Sequence, residues 1–112
     1  MFILTYRDNL DTLYIFLHLT YNTSMSDERI RMIKHRLKEL EPLDITIEDE
    51  GHLHVGHAGA KSGGHFKLYI VSKYFNDMSQ INRHKLIYKT LDQLMKTEIH
   101  ALSISAKSPN EL

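Results

Sequence analysis

Four histidines stand within fourteen residues, His52, His54, His57 and His65, in the run Asp49-Glu50-Gly51-His52-Leu53-His54-Val55-Gly56-His57-Ala58-Gly59-Ala60-Lys61-Ser62-Gly63-Gly64-His65. All five glycines of the chain fall in the same run, and the chain has no cysteine. Imidazole is the commonest protein ligand for metals of intermediate softness, and a glycine-rich backbone adapts to the geometry a metal imposes. One or two of these side chains could therefore act as ligands. In an extended stretch His52 and His54 would point the same way, while His57 is free to differ. The competing reading is a polar loop whose histidines bond to backbone. Asp49 and Glu50 could do acid–base work, but nothing in the sequence indicates a substrate pocket. Without Cys or a GxSxG turn, no nucleophile stands out.

Two phosphate motifs fail on context. Gly56-His57-Ala58-Gly59 has the GxxG form that clamps nucleic-acid backbones between two helices, but here it lies between two strands. Gly59-Ala60-Lys61-Ser62 lacks the glycine before its lysine, and a strand follows where a helix N-terminus is needed. A basic cluster, Arg83, His84, Lys85 and Lys89, falls on a predicted helix. It reads as solvated surface or as a contact for phosphate or an acidic partner. The formal net charge of +0 gives no bulk attraction to polyanions or membranes. Zero Cys excludes disulfide scaffolds, thiolate zinc fingers and any iron–sulfur protein that supplies its own thiolates.

The elements that must position these residues follow from periodicity. At 112 residues and 42% apolar content, the chain fits one domain with one core, and a monomer is expected without a partner. Residues 1–24 read as an appendage outside the main fold or as upstream translation. Their apolar stretch Leu13–Leu19 is too short to span a membrane, and no signal-peptide pattern is present. Met25 reads as a domain start. Ile30, Ile33, Leu37 and Leu40 place a helix over 27–40, with Ser26 as its cap and Pro42 beyond its end. Leu43, Ile45 and Ile47 alternate as a first strand; Phe66, Leu68 and Ile70 alternate as a second. A second helix is predicted over 78–96, capped by Asp77 or Ser79, with Ile81, Ile87, Tyr88, Leu91, Leu94 and Met95 on or near one face. Ile99–Ala106 reads as a third strand, with His100 on the side of Leu102 and Ile104. The order αββαβ predicts an α+β fold: a small mixed sheet, strands 1 and 2 antiparallel, strands 2 and 3 joined by a parallel crossover, helices on one face. The 50–64 loop and His100 could meet at one end of that sheet. Residues 107–112 are expected to fray.

Several motifs together carry a family resemblance: the acidic pair before the histidine loop, GGHF opening the second strand, VS-x-x-F ending it, S-x-x-x-RH in the helix and IHAL in the last strand. Over about residues 26–109 the chain resembles the BolA family. The resemblance implies a class II KH-like fold and a non-enzymatic, cytoplasmic adaptor in iron–sulfur trafficking or iron-responsive regulation. It implies a monothiol glutaredoxin as partner and a shared [2Fe–2S] cluster, with none bound tightly by this chain in isolation. The glutaredoxin would supply a cysteine thiolate and bound glutathione. On this chain the last-strand ligand would be His100 and the loop ligand His54, five residues after Asp49. Variable loop length keeps His57 open. His52 and His65 are weaker candidates, with His65 expected to anchor the second strand. The resemblance also allows a nucleic-acid-binding transcriptional regulator, which would use Arg83, His84, Lys85 and Lys89. The chain departs from the family pattern at Gly51, where Ser is usual, at Asp77, where Gly is frequent, and at Lys85, where Arg is frequent.

Overall fold

The computed structural model describes residues 25–51 and 63–112; residues 1–24 and 52–62 lie outside the described residues. Helix α1 spans Met25–Leu37 and tightens into a 3-10 turn at Lys38–Leu40. Its stripe is as the spacing predicts, with Ile33, Leu37 and Leu40 buried and Ile30 packed against them. Ser26 is not the cap: it lies inside the helix, and its hydroxyl donates to Asp49 Oδ2 at 2.5 Å. Glu41 then takes a left-handed conformation with φ 45°, which turns the chain toward Pro42 and the sheet.

Strands β1 (Asp44–Asp49), β2 (Gly64–Val71) and β3 (Ile99–Lys107) form a sheet in the order β1-β2-β3. The β1/β2 pair is antiparallel and the β2/β3 pair parallel, with α2 (Gln80–Thr97) as the crossover. This is the predicted αββαβ architecture. Phe66, Leu68 and Ile70 of β2 pair with Leu102, Ile104 and Ala106 of β3 and face the helices. Ile33, Leu37, Ile87 and Leu91 cover them from α1 and α2. Leu43, expected on this face, is 60% exposed because it precedes the strand. Ile81 and Tyr88 are also exposed, so the apolar face of α2 is narrower than its sequence suggests.

The VS-x-x-F motif has a structural cause. Ser72 is fully buried; its hydroxyl donates to the Leu40 carbonyl and accepts from the Tyr74 N–H, capping a 3-10 turn at Lys73–Phe75. Phe75 is delivered into the core. Asp77 sits at φ 62°, the left-handed conformation for which Gly is best suited and which Asp tolerates. Ser79 caps α2 by accepting from the Asn82 N–H, so of the two expected caps it is the one used.

The C-terminal segment does not fray. Ser108 caps a 3-10 turn at Pro109–Glu111 through a reciprocal capping box with Glu111. Glu111 also accepts from both terminal nitrogens of Arg83, at 3.0 and 2.5 Å. The order comes from Arg83: a buried guanidinium needs a carboxylate, and the last turn supplies it. These bonds hold the Glu111 carboxyl down to about 2 from its ordinary 4.5, with Arg83 the larger cause and Ser108 the next. The folded-state value is depressed, so the stabilisation is complete above pH 4.5 and is lost as the pH falls toward 2. The urea midpoint of the parent should accordingly drop more steeply over that interval than that of Glu111→Gln. Parallel midpoint-against-pH curves for the two proteins would refute this assignment.

Candidate functional site

The sheet end nearest the histidine run is built by close backbone packing. Gly63 lies against β3: a Cβ there would come within 3.0 Å of the His100 backbone nitrogen and 3.3 Å of its Cβ. The Gly64 N–H donates to the Glu98 carbonyl at 3.0 Å. A Cβ on Gly64 would overlap the Phe66 ring, so the GG pair is there to let a strand and a core aromatic approach. On the other side, the Glu50 N–H donates to the His65 carbonyl at 2.8 Å. Asp49 anchors this exit through Ser26 and through the Gly51 N–H, which donates to Asp49 Oδ1 at 2.6 Å. Its carboxylate is thus occupied by structural hydrogen bonds. Residues 51 and 63, which flank the undescribed run, therefore stand at the end of the sheet where β3 begins.

The register between β2 and β3 slips here. Gly64 pairs with Ile99, but His65 pairs with Ala101, leaving His100 as an extra residue with no partner opposite. This bulge re-aims side chains. Ile99 and Leu102 are three apart, yet both reach the core, which plain alternation forbids. His100 does not share the side of Leu102 and Ile104, as its sequence spacing suggests. It is exposed, and its ring centroid lies 5.0 Å from that of His65, with the planes at 36°. His65, adjacent to core-facing Phe66, belongs to the sheet face that carries no helix. It does open the second strand, as expected, and it is also the histidine that the described structure brings to His100. The bulge that brings them together is a matter of pairing, which periodicity does not reveal.

His54 and His57, the loop candidates, and His52 lie outside the described residues. Among the described residues no group of three or more His, Asp or Glu could hold a metal ion. What they offer is an exposed imidazole with a second one beside it, which fits a site that other groups must complete.

The basic cluster on α2 does not assemble as one surface. Lys85 and Lys89 are exposed and His84 is half-buried, but Arg83 is 5% exposed. Its Nε donates to the Met78 carbonyl and its Nη1 to the Ala106 carbonyl, both at 3.0 Å, besides the pairing with Glu111. Arg83 is a structural clamp between α2, β3 and the last turn, and it is withdrawn from any partner.

Comparison with known proteins gives a consistent picture. Residues 36–111 match the family model described as BolA-like protein. The chain is 45% identical over 85 residues to "Protein BOLA1, chloroplastic" of Arabidopsis thaliana, covering 72% of this chain and 53% of that protein. The chain thus spans about half the length of that relative. It is 39% identical over 74 residues to "DNA-binding transcriptional regulator BolA" of Haemophilus influenzae, covering 66% of this chain and 70% of that one. The solved BolA domain of SufE1 from Arabidopsis thaliana superposes with a TM-score of 0.63 at 44% identity, covering 71% of this chain and 91% of that one.

Proposed function

Because the chain belongs to the BolA-like protein family, we propose that it is an adaptor that completes a [2Fe–2S] site together with a monothiol glutaredoxin. The observation that carries this reading is His100: an exposed imidazole at a β-bulge, at the sheet end where the histidine-rich run attaches. The absence of cysteine agrees with it, since the thiolates must then come from the partner and its glutathione. His100 would be one ligand and His54 or His57 the other.

The chain's own contribution is placement and charge. The bulge turns the His100 ring away from the core, and Gly63, lacking a side chain, lets the two backbones pass close behind it. A neutral imidazole in place of a thiolate leaves the cluster less negative and raises its reduction potential, as the two histidines do in Rieske centres. The imidazole must shed its proton to ligate, so assembly should weaken in acid. The adaptor would act in the cytoplasm, in iron–sulfur transfer or iron-responsive control.

The experiment is anaerobic reconstitution of the full chain with a monothiol glutaredoxin, glutathione, iron and sulfide, read by visible circular dichroism. The mixed complex should give a spectrum distinct from that of the glutaredoxin alone. His100→Ala should abolish the difference, and one of His54→Ala and His57→Ala should do the same. Unchanged spectra for all three variants would remove the ligand assignment.

A further inference from the structure

The two edges of the sheet are protected unequally. β1 carries Asp44, Glu48 and Asp49, and charges on an edge strand deter pairing with another strand. β3 is the other edge. From Ala101 to Ala106 it reads ALSISA, without a charge or a proline. Among the described residues no strand lies on its far side. Leu102 and Ile104 are only partly buried there. The helix layer leaves a matching gap. α2 packs over β3 and α1 over β1. Leu86 and Thr90 of α2 line a groove with Arg36 of α1, so that side of α2 is taken. Ile81, His84 and Tyr88 follow at i, i+3 and i+7 on the opposite side, the one that overhangs the free edge of β3. Ile81 is 67% exposed and Tyr88 41%.

We propose that residues 13–19, which lie outside the described residues, form a fourth strand on this edge, antiparallel to β3 and beneath Ile81 and Tyr88. Their sequence, LYIFLHL, puts Leu13, Ile15, Leu17 and Leu19 on one side of a strand and Tyr14, Phe16 and His18 on the other. A helix would scatter the four aliphatics around its circumference. The aliphatic side continues the layer of Leu102 and Ile104, and the aromatic side continues the open face beside Ser103 and Ser105. Connectivity selects the same edge. α1 begins at the sheet end where β1 finishes and β3 starts, with Ser26 bonded to Asp49 and Arg29 paired with Glu98. A strand that leads into α1 there runs parallel to β1 and, by the sheet order, antiparallel to β3. A right-handed crossover through the helix layer places it beyond β3, whereas the free edge of β1 would require a left-handed one. The chain from Leu19 to Met25 reaches about 20 Å, against roughly 14 Å for the three strand spacings it must cross. This strand needs neither a metal nor a second protein, so it stands or falls apart from the cluster reading.

The lack of cysteine makes the test direct. In the full chain, Phe16→Cys is combined in turn with Ser103→Cys and with Ser105→Cys, the two registers that keep aliphatics opposite aliphatics. Phe16→Cys with Thr46→Cys, on the edge strand β1, is the control. After mild oxidation, at least one of the first two pairs should form a disulfide within one chain, at least about tenfold faster than the control. Hydrogen exchange of the unsubstituted chain is the second measurement. The amides of residues 13–19 should exchange on the order of a hundredfold more slowly than in the variant Ile15→Asp with Leu17→Asp, while those of β1 stay unchanged. Disulfides between two chains would assign the edge to a second copy and overturn the fourth strand. Failure of both serine pairs to crosslink, equal crosslinking to Thr46→Cys, or fast exchange of residues 13–19 in the unsubstituted chain would overturn it as well.

Discussion

Arg83→Ala should unfold roughly 15 °C below the parent, a loss of about 3 kcal/mol. Three things go at once. The guanidinium's bonds to the Met78 and Ala106 carbonyls disappear, so one buried acceptor at the end of β3 is left with fewer partners. The stem leaves a void beside Phe75, whose ring centre lies 6.0 Å from the guanidinium carbon. Glu111 loses the partner that holds the last turn. Glu111→Ala should also destabilise, by the other half of the same logic: it leaves a charge that is 5% exposed without its carboxylate. The double variant should therefore lose less than the two single losses added together. Thermal unfolding of the four proteins checks this. A single Arg83→Ala as stable as the parent would show that the residue is a surface cation after all.

The second large effect is expected at the GGHF turn. Phe66 is 2% exposed at the centre of the core, and Phe66→Ala should cost about 3–5 kcal/mol. The sharper measurement is Gly64→Ala. In an ordinary strand position Ala is the better residue, because Gly loses more backbone freedom on folding, by roughly 0.5–1 kcal/mol. Here the added methyl would occupy the space of the Phe66 ring, and displacing a packed aromatic costs about 1–3 kcal/mol. The contact should outweigh the propensity, making Gly64→Ala destabilising. Phe66→Leu in the Gly64→Ala background should then cost less than in the parent. Chemical denaturation of the set decides it: a stabilising Gly64→Ala would mean that the ring yields freely.

Much of this fold could be read in advance, and the reasons are local. Helix α1 showed in the spacing of Ile33, Leu37 and Leu40, the parallel crossover in the element order, and the α2 cap in Ser79. These depend on neighbours within a turn or on alternation within a strand. What escaped depends on distant partners. Arg83 looks like any helix-surface cation until Glu111, 28 residues away, is set beside it. A signal was nevertheless available in Ser108-Pro109-Asn110-Glu111, an S-x-x-E capping box with Pro at its first position, which argues for an ordered end. Of the candidate site, His100 was legible as a residue but not as a direction. His65, its ring neighbour, follows only from the slipped register.

That slip separates two demands that usually compete at one position. Ile99 and Leu102 satisfy the interior on either side of it, and residue 100 is the one the β2 ladder leaves out. Its backbone passes close to Gly63, while its side chain is exposed and lies outside the packed interior. The group displayed at this corner, imidazole, carboxylate or none, can therefore be exchanged without disturbing the interior, so His100→Ala should leave the thermal midpoint close to the parent's.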